Sequence, residues 1–513
     1  MRWGEGASES SREEQPAKEI DLKQRRLVLA LVLIVLVIMT IRVYLRATGP
    51  AWAPADVVMA DNRDYFPVVH NLFLEARRSI DVILYQSCFY FEYPLSRSNT
   101  LVADLVDAQA RGVKVRVVLE AAEWNFENSE DNRDVWNLLK QAGVETYFDP
   151  LSTTSHSKLV VVDGEYTVMG SMNWSYYALD KNSEATVVIE SKKIARQFEE
   201  YFGEVVRTGT ADYPLPEQFL KAADVPKAKG NAVFIRDLVD SARYDSDRKE
   251  GLIYLGTIVV RVDADALEEV LAVEPRFFDG IRGDTLRVFG ELNRDNRQEV
   301  HALDLETARA IQAMAQAFDT ERTKLKTVSL PKPPLKWTHA DRVMPIPNRA
   351  YVPEVERLVK AARERIWIAM LDARYYEKRP VPAEREKRPR PEGAPPSLTN
   401  DILAGLEAAA RRGVDVRLVV DMGRGGRVPE SKLAFLTRLK EAGGKVYEDS
   451  PDVTTHAKVF IVDSDFTVVG STNWSQPAVE DNNETAVMIE SPEINGHYAD
   501  FIDGIVKAGT LFN

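Results

Sequence analysis

The chain has 513 residues, of which 45% are hydrophobic and 28% charged, and its formal net charge is −13. That balance excludes a wholly disordered polymer and leaves room for more than one core. The acidic excess argues against a general polyanion binder, which would carry a basic footprint. The single cysteine, Cys88, excludes an intramolecular disulfide. It lies in an apolar run at 82–89 and reads as a buried core thiol.

Residues 1–26 are polar and charged without apolar periodicity, and read as a disordered cytoplasmic tail. Residues 27–45 are almost wholly apolar and would span roughly 28 Å as a helix, close to the thickness of a hydrocarbon core. The expectation is a transmembrane signal-anchor helix. A cleaved signal peptide is disfavoured because the candidate site after Ala51-Trp52-Ala53 is followed by Pro54. Lys18, Lys23, Arg25 and Arg26 precede the span, whereas only Arg42 and Arg46 follow it closely. The positive-inside rule then puts the N-terminus in the cytoplasm and the large C-terminal body on the other side.

The rest of the chain is duplicated. Asn62-Arg63-Asp64-Tyr65 resembles Asn348-Arg349-Ala350-Tyr351, and each leads into a helical pattern and then an apolar strand, near 80–85 and 366–371. Ala110-Arg111-Gly112-Val113 matches Arg411-Arg412-Gly413-Val414, where a helix stops at glycine and a β-branched strand follows. These segments read as core packing and turns. Strands alternating with helices predict an α/β layered domain occurring twice, over 56–210 and 340–513. The intervening 211–339 reads as an inserted segment or small domain, with a strand-like run at 251–262 and a helix-like run at 304–318. Residues 379–391 of the second copy, rich in proline and charge, read as a solvated loop.

The chemistry is carried by a doubled motif. The first copy has His156-Ser157-Lys158 and Asp163, then Gly170-Ser171-Met172-Asn173-Trp174-Ser175. The second has His456-Ala457-Lys458 and Asp463, then Gly470-Ser471-Thr472-Asn473-Trp474-Ser475. Histidine and lysine two apart on a strand project together. The Asp163-Gly164 turn sends the chain back to bring Ser171 and Asn173 near the start of that strand. Lysine and asparagine supply donors for non-bridging phosphate oxygens. One neutral histidine can attack phosphorus, and one protonated histidine can give its proton to the leaving oxygen. Glu184 and Glu484, each 28 residues after a motif histidine, are placed to orient the imidazoles. Zinc is a poor alternative, because the residue two after each histidine is a cationic lysine. His70, His301, His339 and His497 lack such company.

These residues resemble the phospholipase D superfamily, the HKD family. The resemblance covers both α/β copies, and implies two pseudo-symmetric α/β/α sandwich domains packed about one shared phosphate site. It implies a phosphohistidine mechanism with His156 as nucleophile and His456 as acid, an assignment the near-identical motifs leave reversible. Asp163 and Asp463, counted with the catalytic set, take a mainly structural part in the family, and Ser171 and Ser471 support the site. The implied activity is phospholipase D-like phosphodiester hydrolysis or transphosphatidylation, with phospholipid and membrane as partners. No cofactor, metal or obligate protein partner is expected. The competing readings are a nuclease, with Trp174 and Trp474 stacking on bases, a phosphatidyltransferase of the cardiolipin-synthase type, and a non-enzymatic membrane scaffold.

Overall fold

The structure is a computed structural model that describes residues 51–513, apart from 91, 92, 94, 123, 216–218, 229–231, 263–276, 284, 308–335, 379–396, 424–427 and 513. The tail at 1–26, the apolar span at 27–45 and the loop at 379–391 lie outside the described residues. Among those described, no helix is long and apolar enough to cross a membrane.

Each copy is built from the same series of elements. In the first they are β1 (Ala53–Met59), α1 (Tyr65–Glu75), β2 (Ser79–Leu84), α2 (Arg97–Ala110), β3 (Lys114–Leu119), α3 (Phe126–Gln141), β4 (Glu145–Phe148), β5 (Lys158–Val162), β6 (Tyr166–Gly170), β7 (Thr186–Glu190) and α4 (Lys192–Thr208). β2, β3 and β4 are parallel neighbours, as strands joined by helical crossovers must be. β5, β6 and β7 form an antiparallel meander that continues the sheet from β2. The strands are apolar on both faces because helices cover both, α1 to α3 on one side and α4 on the other, where the core is shared with the second copy. All five residues of β5 are buried.

Between the copies a second sheet of six strands follows, β8 (Ala232–Leu238), β9 (Ser241–Asp245), β10 (Glu250–Leu255), β11 (Ile258–Val262), β12 (Thr285–Leu292) and β13 (Glu299–Thr307). Two expectations are corrected here. The run at 251–262 is a hairpin rather than one strand, because Gly256 takes a left-handed φ of 58° and turns the chain. The start of the helix-like run at 304–318 is strand: β13 lies between β11 and β12 and pairs with both, so tertiary pairing overrides the local pattern. The remainder of that run lies outside the described residues.

The second copy comprises β14 (Thr338–Pro345), α5 (Tyr351–Ala361), β15 (Arg365–Met370), α6 (Leu398–Arg411), β16 (Asp415–Val420), α7 (Glu430–Glu441), β17 (Lys445–Glu448), β18 (Lys458–Val462), β19 (Phe466–Gly470), α8 (Gln476–Glu480), β20 (Ala486–Glu490), α9 (Pro492–Ala508) and β21 (Thr510–Leu511). Antiparallel pairing of β1 with β14 joins the copies into one sheet of fifteen strands. A shared apolar core fills the space between them, with Val187, Ile189, Phe198 and Phe202 from the first copy against Val487, Ile489, Tyr498 and Ile502 from the second. The α/β class and the doubling therefore hold. Cys88 is buried, and burial raises its thiol well above the ordinary range.

Candidate active site

The motif strands β5 and β18 begin at Lys158 and Lys458, so each histidine sits just before its strand. A backbone exchange between the copies puts the two histidines in one place. His156 N–H donates to the carbonyl of Asn483 at 2.9 Å, and His456 N–H donates to that of Ser183 at 2.9 Å. Short parallel bridges, Ser155 with Asn483 and Ser183 with Thr455, extend this contact. The loop carrying each copy's glutamate thus backs the histidine of the other.

The histidine–glutamate pairs are crossed accordingly. Nδ1 of His156 lies 3.1 Å from Oε2 of Glu484, and Nδ1 of His456 lies 2.9 Å from Oε2 of Glu184. The equal spacing within each repeat does not reveal this exchange. Nδ1 of His156 also faces the carbonyl of Ser471 at 3.1 Å. An atom between a carboxylate and a carbonyl must carry the proton, which leaves Nε2 of the neutral ring with its lone pair. The same carboxylate contact fixes the tautomer of His456.

Each glutamate is held in turn. Ser171 Oγ donates to Oε2 of Glu184, and Ser471 Oγ donates to Oε2 of Glu484 at 2.5 Å. Asn182 and Asn482 donate to the other oxygens at 3.2 Å. The serines come within reach because Gly170 and Gly470 let β6 and β19 press against the next strand. A Cβ at Gly170 would strike the carbonyl of Ala185, and one at Gly470 that of Thr485. Asn62 and Asn348 accept the backbone N–H of Glu184 and Glu484 at 2.8 Å, each from a left-handed φ, 53° and 49°. In the sequence these asparagines look like a repeated turn and nothing more. Their matching positions ahead of the two copies are the one signal that could have marked them.

The electrostatics follow from burying like charges together. Burial pushes His156 down to about 4, against an upward pull from Glu484, and the ammonium groups of Lys158 and Lys458 add to the fall. His456 is lowered by the same kinds of cause, burial first. Burial also takes Lys158 well below the ordinary lysine range and Lys458 down to about 8. Burial raises Glu184, but His456, Lys458 and Ser171 outweigh it and leave the carboxyl below its usual value. Lys158 and Lys458 donate to the carbonyls of His156 and His456 at 2.6 and 2.5 Å. The carboxamide oxygens of Asn173 and Asn473 are buried without a hydrogen-bond partner among the described residues. Across one site there are thus two neutral imidazoles with outward lone pairs, two lysines and two carboxamides. Such a set can attack, protonate and hold a phosphate. No group of three or more His, Cys, Asp or Glu suited to a metal occurs among the described residues.

Position decides three readings that the sequence left open. Asp163 and Asp463 stand at the opposite ends of β5 and β18 from the histidines. Oδ1 of Asp163 accepts the N–H groups of Arg77, Arg78 and Ser79 at 3.2, 2.6 and 3.0 Å, and Asp463 does the same for Arg363, Glu364 and Arg365. They fasten the helix-to-strand turn and touch none of the site's polar groups. Trp174 and Trp474 are 1% and 0% exposed, and their indole N–H groups donate to Tyr65 and Tyr351 at 2.9 and 3.0 Å. They are core residues and present no face to a base. The remaining histidines are not without company: His70 and His497 each meet an aspartate at 2.7 Å, His339 meets Asp56 at 2.7 Å and Asp341 at 3.6 Å, and His301 meets Glu299 at 3.5 Å.

Comparison with known proteins agrees with this geometry. A family model described as "Cardiolipin synthase, PLD-like domain" matches residues 69–206 and 394–506, one segment in each copy. Among curated proteins, a phospholipase D of Rickettsia bellii is 29% identical over 113 residues, covering 22% of this chain and 53% of that protein. The mitochondrial cardiolipin hydrolase of Homo sapiens is 32% identical over 130 residues, covering 25% of this chain and 46% of that protein. The chain thus spans about half the length of the curated relatives it matches. Among solved structures, the phosphatidylserine synthase of Haemophilus influenzae Rd KW20 aligns over 92% of both chains with a TM-score of 0.50 and 10% identity, a likeness of fold.

Proposed function

The chain belongs to the phospholipase D superfamily, and on that premise we propose that it cleaves phospholipid phosphodiester bonds through a covalent phosphohistidine. The observation that carries this reading is the crossed pairing of His156 with Glu484 and His456 with Glu184. It makes one site from two copies and leaves both Nε2 atoms free to act.

The Nε2 lone pair of His156 forms a bond to phosphorus while the bond from phosphorus to the leaving alcohol breaks. His456, protonated in the bound complex and supported by ionised Glu184, gives its Nε2 proton to that oxygen. Water then returns a proton to His456 and adds its oxygen to phosphorus, releasing His156. Lys158, Lys458, Asn173 and Asn473 bind the non-bridging oxygens as charge redistributes. The lysines supply the positive charge, so the reaction is proposed to be metal-independent. An alcohol in place of water would give phosphatidyl transfer, a second reading favoured by the cardiolipin-synthase description of the matched family model. The apolar segment at 27–45 and its flanking cations support attachment to a membrane, with the N-terminus cytoplasmic and the catalytic body on the other side.

The test is product analysis on the full chain in detergent, given phosphatidylcholine, phosphatidylglycerol or single-stranded DNA, with EDTA present. Phosphatidate or a transferred phosphatidyl product supports the proposal. Cleavage of DNA alone, or a strict metal requirement, would overturn it.

A further inference from the structure

The two halves of the site match at every motif position but not on the adjoining wall. β2 pairs Leu84 with Lys158, and β15 pairs Met370 with Lys458. The residues that follow, Tyr85 and Leu371, therefore occupy equivalent places in the two copies. One is an aromatic phenol and the other an aliphatic side chain.

Tyr85 is engaged on every side. Its ring centroid lies 4.8 Å from that of His156, at 65° between planes. The Lys158 ammonium stands 4.8 Å from the same centroid. Its hydroxyl accepts from Nδ2 of Asn125, the residue just before α3, at 2.9 Å. Its carbonyl accepts from Asn128 at 3.0 Å and from Asn132 at 2.8 Å, so α3 fixes both ends of the residue. Among the described residues, the counterpart at Leu371 is a bond to its carbonyl from Lys432 Nζ at 2.9 Å, in place of Asn132. Both halves carry acidic groups, and in the first the buried Glu120 acts on Lys158 and on Tyr85 through charge. Asp372 lies 3.8 Å from Lys432, and Asp372 and Asp421 both act on Lys458 through charge.

We propose that Tyr85 is the positioning residue that makes the two histidines unequal, by holding His156 as the neutral nucleophile and leaving His456 to carry the proton. This rests on the phosphohistidine reading above. The ring takes the place of water against His156, which removes solvation from a charged imidazole. Lys158 already sits by the aromatic ring, where a cation is favoured, so a second cation on His156 would stand beside the first. The charged groups around His156 are Glu484, Lys158 and Lys458, and those around His456 are Glu184, Lys458 and Lys158. With these charged neighbours so similar, the wall decides. His156 is driven down to about 4, in keeping with this assignment.

The experiment maps the covalent phosphoryl group. The full chain is turned over on phosphatidylcholine, quenched in alkali, digested, and the modified histidine identified by mass spectrometry. In the parent protein the label is expected on His156 over His456 by about tenfold or more, a preference of about 1.4 kcal/mol. Tyr85→Phe, which loses only the bond from Asn125, keeps that preference. Tyr85→Leu brings the two labels to within about threefold. The exchange Tyr85→Leu with Leu371→Tyr moves the label to His456. Label staying on His156 in Tyr85→Leu and in the exchange overturns this inference and leaves the covalent reading intact. A parent protein labelled on neither histidine overturns the covalent reading and this inference with it. Thermal melting of each variant identifies any that fails to fold, and Tyr85→Leu alone then decides.

Discussion

The two ends of β5 are equally repeated in β18, yet they do different work. At one end His156 and Lys158 face Glu484 and Lys458 across the seam between the copies. At the other, Asp163 gathers three backbone N–H groups from the turn that leads into β2. A duplicated sequence preserves chemistry and architecture alike, so repetition alone cannot separate them. Burial and partners can. The histidine end is a cluster of ionisable groups shifted by one another, whereas the aspartate end is a single carboxylate fastening backbone.

The sharpest break in that comparison comes from the histidines. His156→Ala and His456→Ala should each lower kcat on a phospholipid by about 10⁴-fold, the upper range for a positioned proton-transfer group. Melting temperatures should stay near that of the parent. Residual activity within tenfold in either variant would remove that histidine from the reaction. Glu484→Gln should come next, costing about 10²–10³-fold in kcat, because an amide can present its NH₂ to the ring and favour the wrong tautomer. The crossed pairing makes a particular demand here. Glu484→Gln should slow labelling of His156, the histidine of the other repeat, by a similar factor, and labelling at the parent rate would count against a role for the pairing in the reaction.

The pH dependence sharpens the same contrast with a smaller effect. His156 is neutral above about 4, and Lys458 keeps its charge below about 8. The reaction also needs His456 protonated, and burial lowers that group below the ordinary histidine range. The kcat/KM profile of the free enzyme should therefore peak on the acid side of neutrality. It should fall at lower pH as the nucleophile is protonated and at higher pH as His456 loses its proton, about tenfold per unit, and more steeply above about 8 as the Lys458 ammonium is lost as well. A profile flat from about pH 6 to pH 10 would show that neither the His456 proton nor the Lys458 charge is needed.

Much of this site is legible in the amino-acid sequence. His156, Lys158, Asn173 and Ser171, with their counterparts, stand out because a repeated motif and a hairpin turn bring them together within one repeat, and Glu184 and Glu484 because each follows a motif histidine by 28 residues. Which repeat each glutamate serves is not legible there. An offset of 28 residues describes position along a chain, while the exchange of loops between copies arises only when two copies dock. The same limit hides Tyr85, which looks like any aromatic at the end of an apolar strand until His156 and Lys158 are seen against it. The middle sheet escapes for a different reason. β13 owes its form to neighbours on both sides, and a pattern of local apolar spacing does not record them.

The smallest expected effect falls on the architectural end and completes the contrast. Asp163→Ala leaves three backbone donors without their acceptor and removes a residue that tolerates the left-handed φ of 56°. At net values near 1 kcal/mol per bond, part of it recovered by water at this half-buried turn, the loss of stability should be about 2 kcal/mol. Denaturant unfolding measures that loss directly. The kcat of the folded enzyme should remain within about threefold of the parent, because the strand between Asp163 and the site is wholly buried and held on both edges. A collapse of kcat with stability unchanged would mean that the carboxylate acts on the reaction after all. Asp463→Ala should behave in the same way, since Asp463 holds Arg363, Glu364 and Arg365 as Asp163 holds its own turn. Inequality between these two variants would show that the copies differ in architecture as well as on the wall beside the histidines.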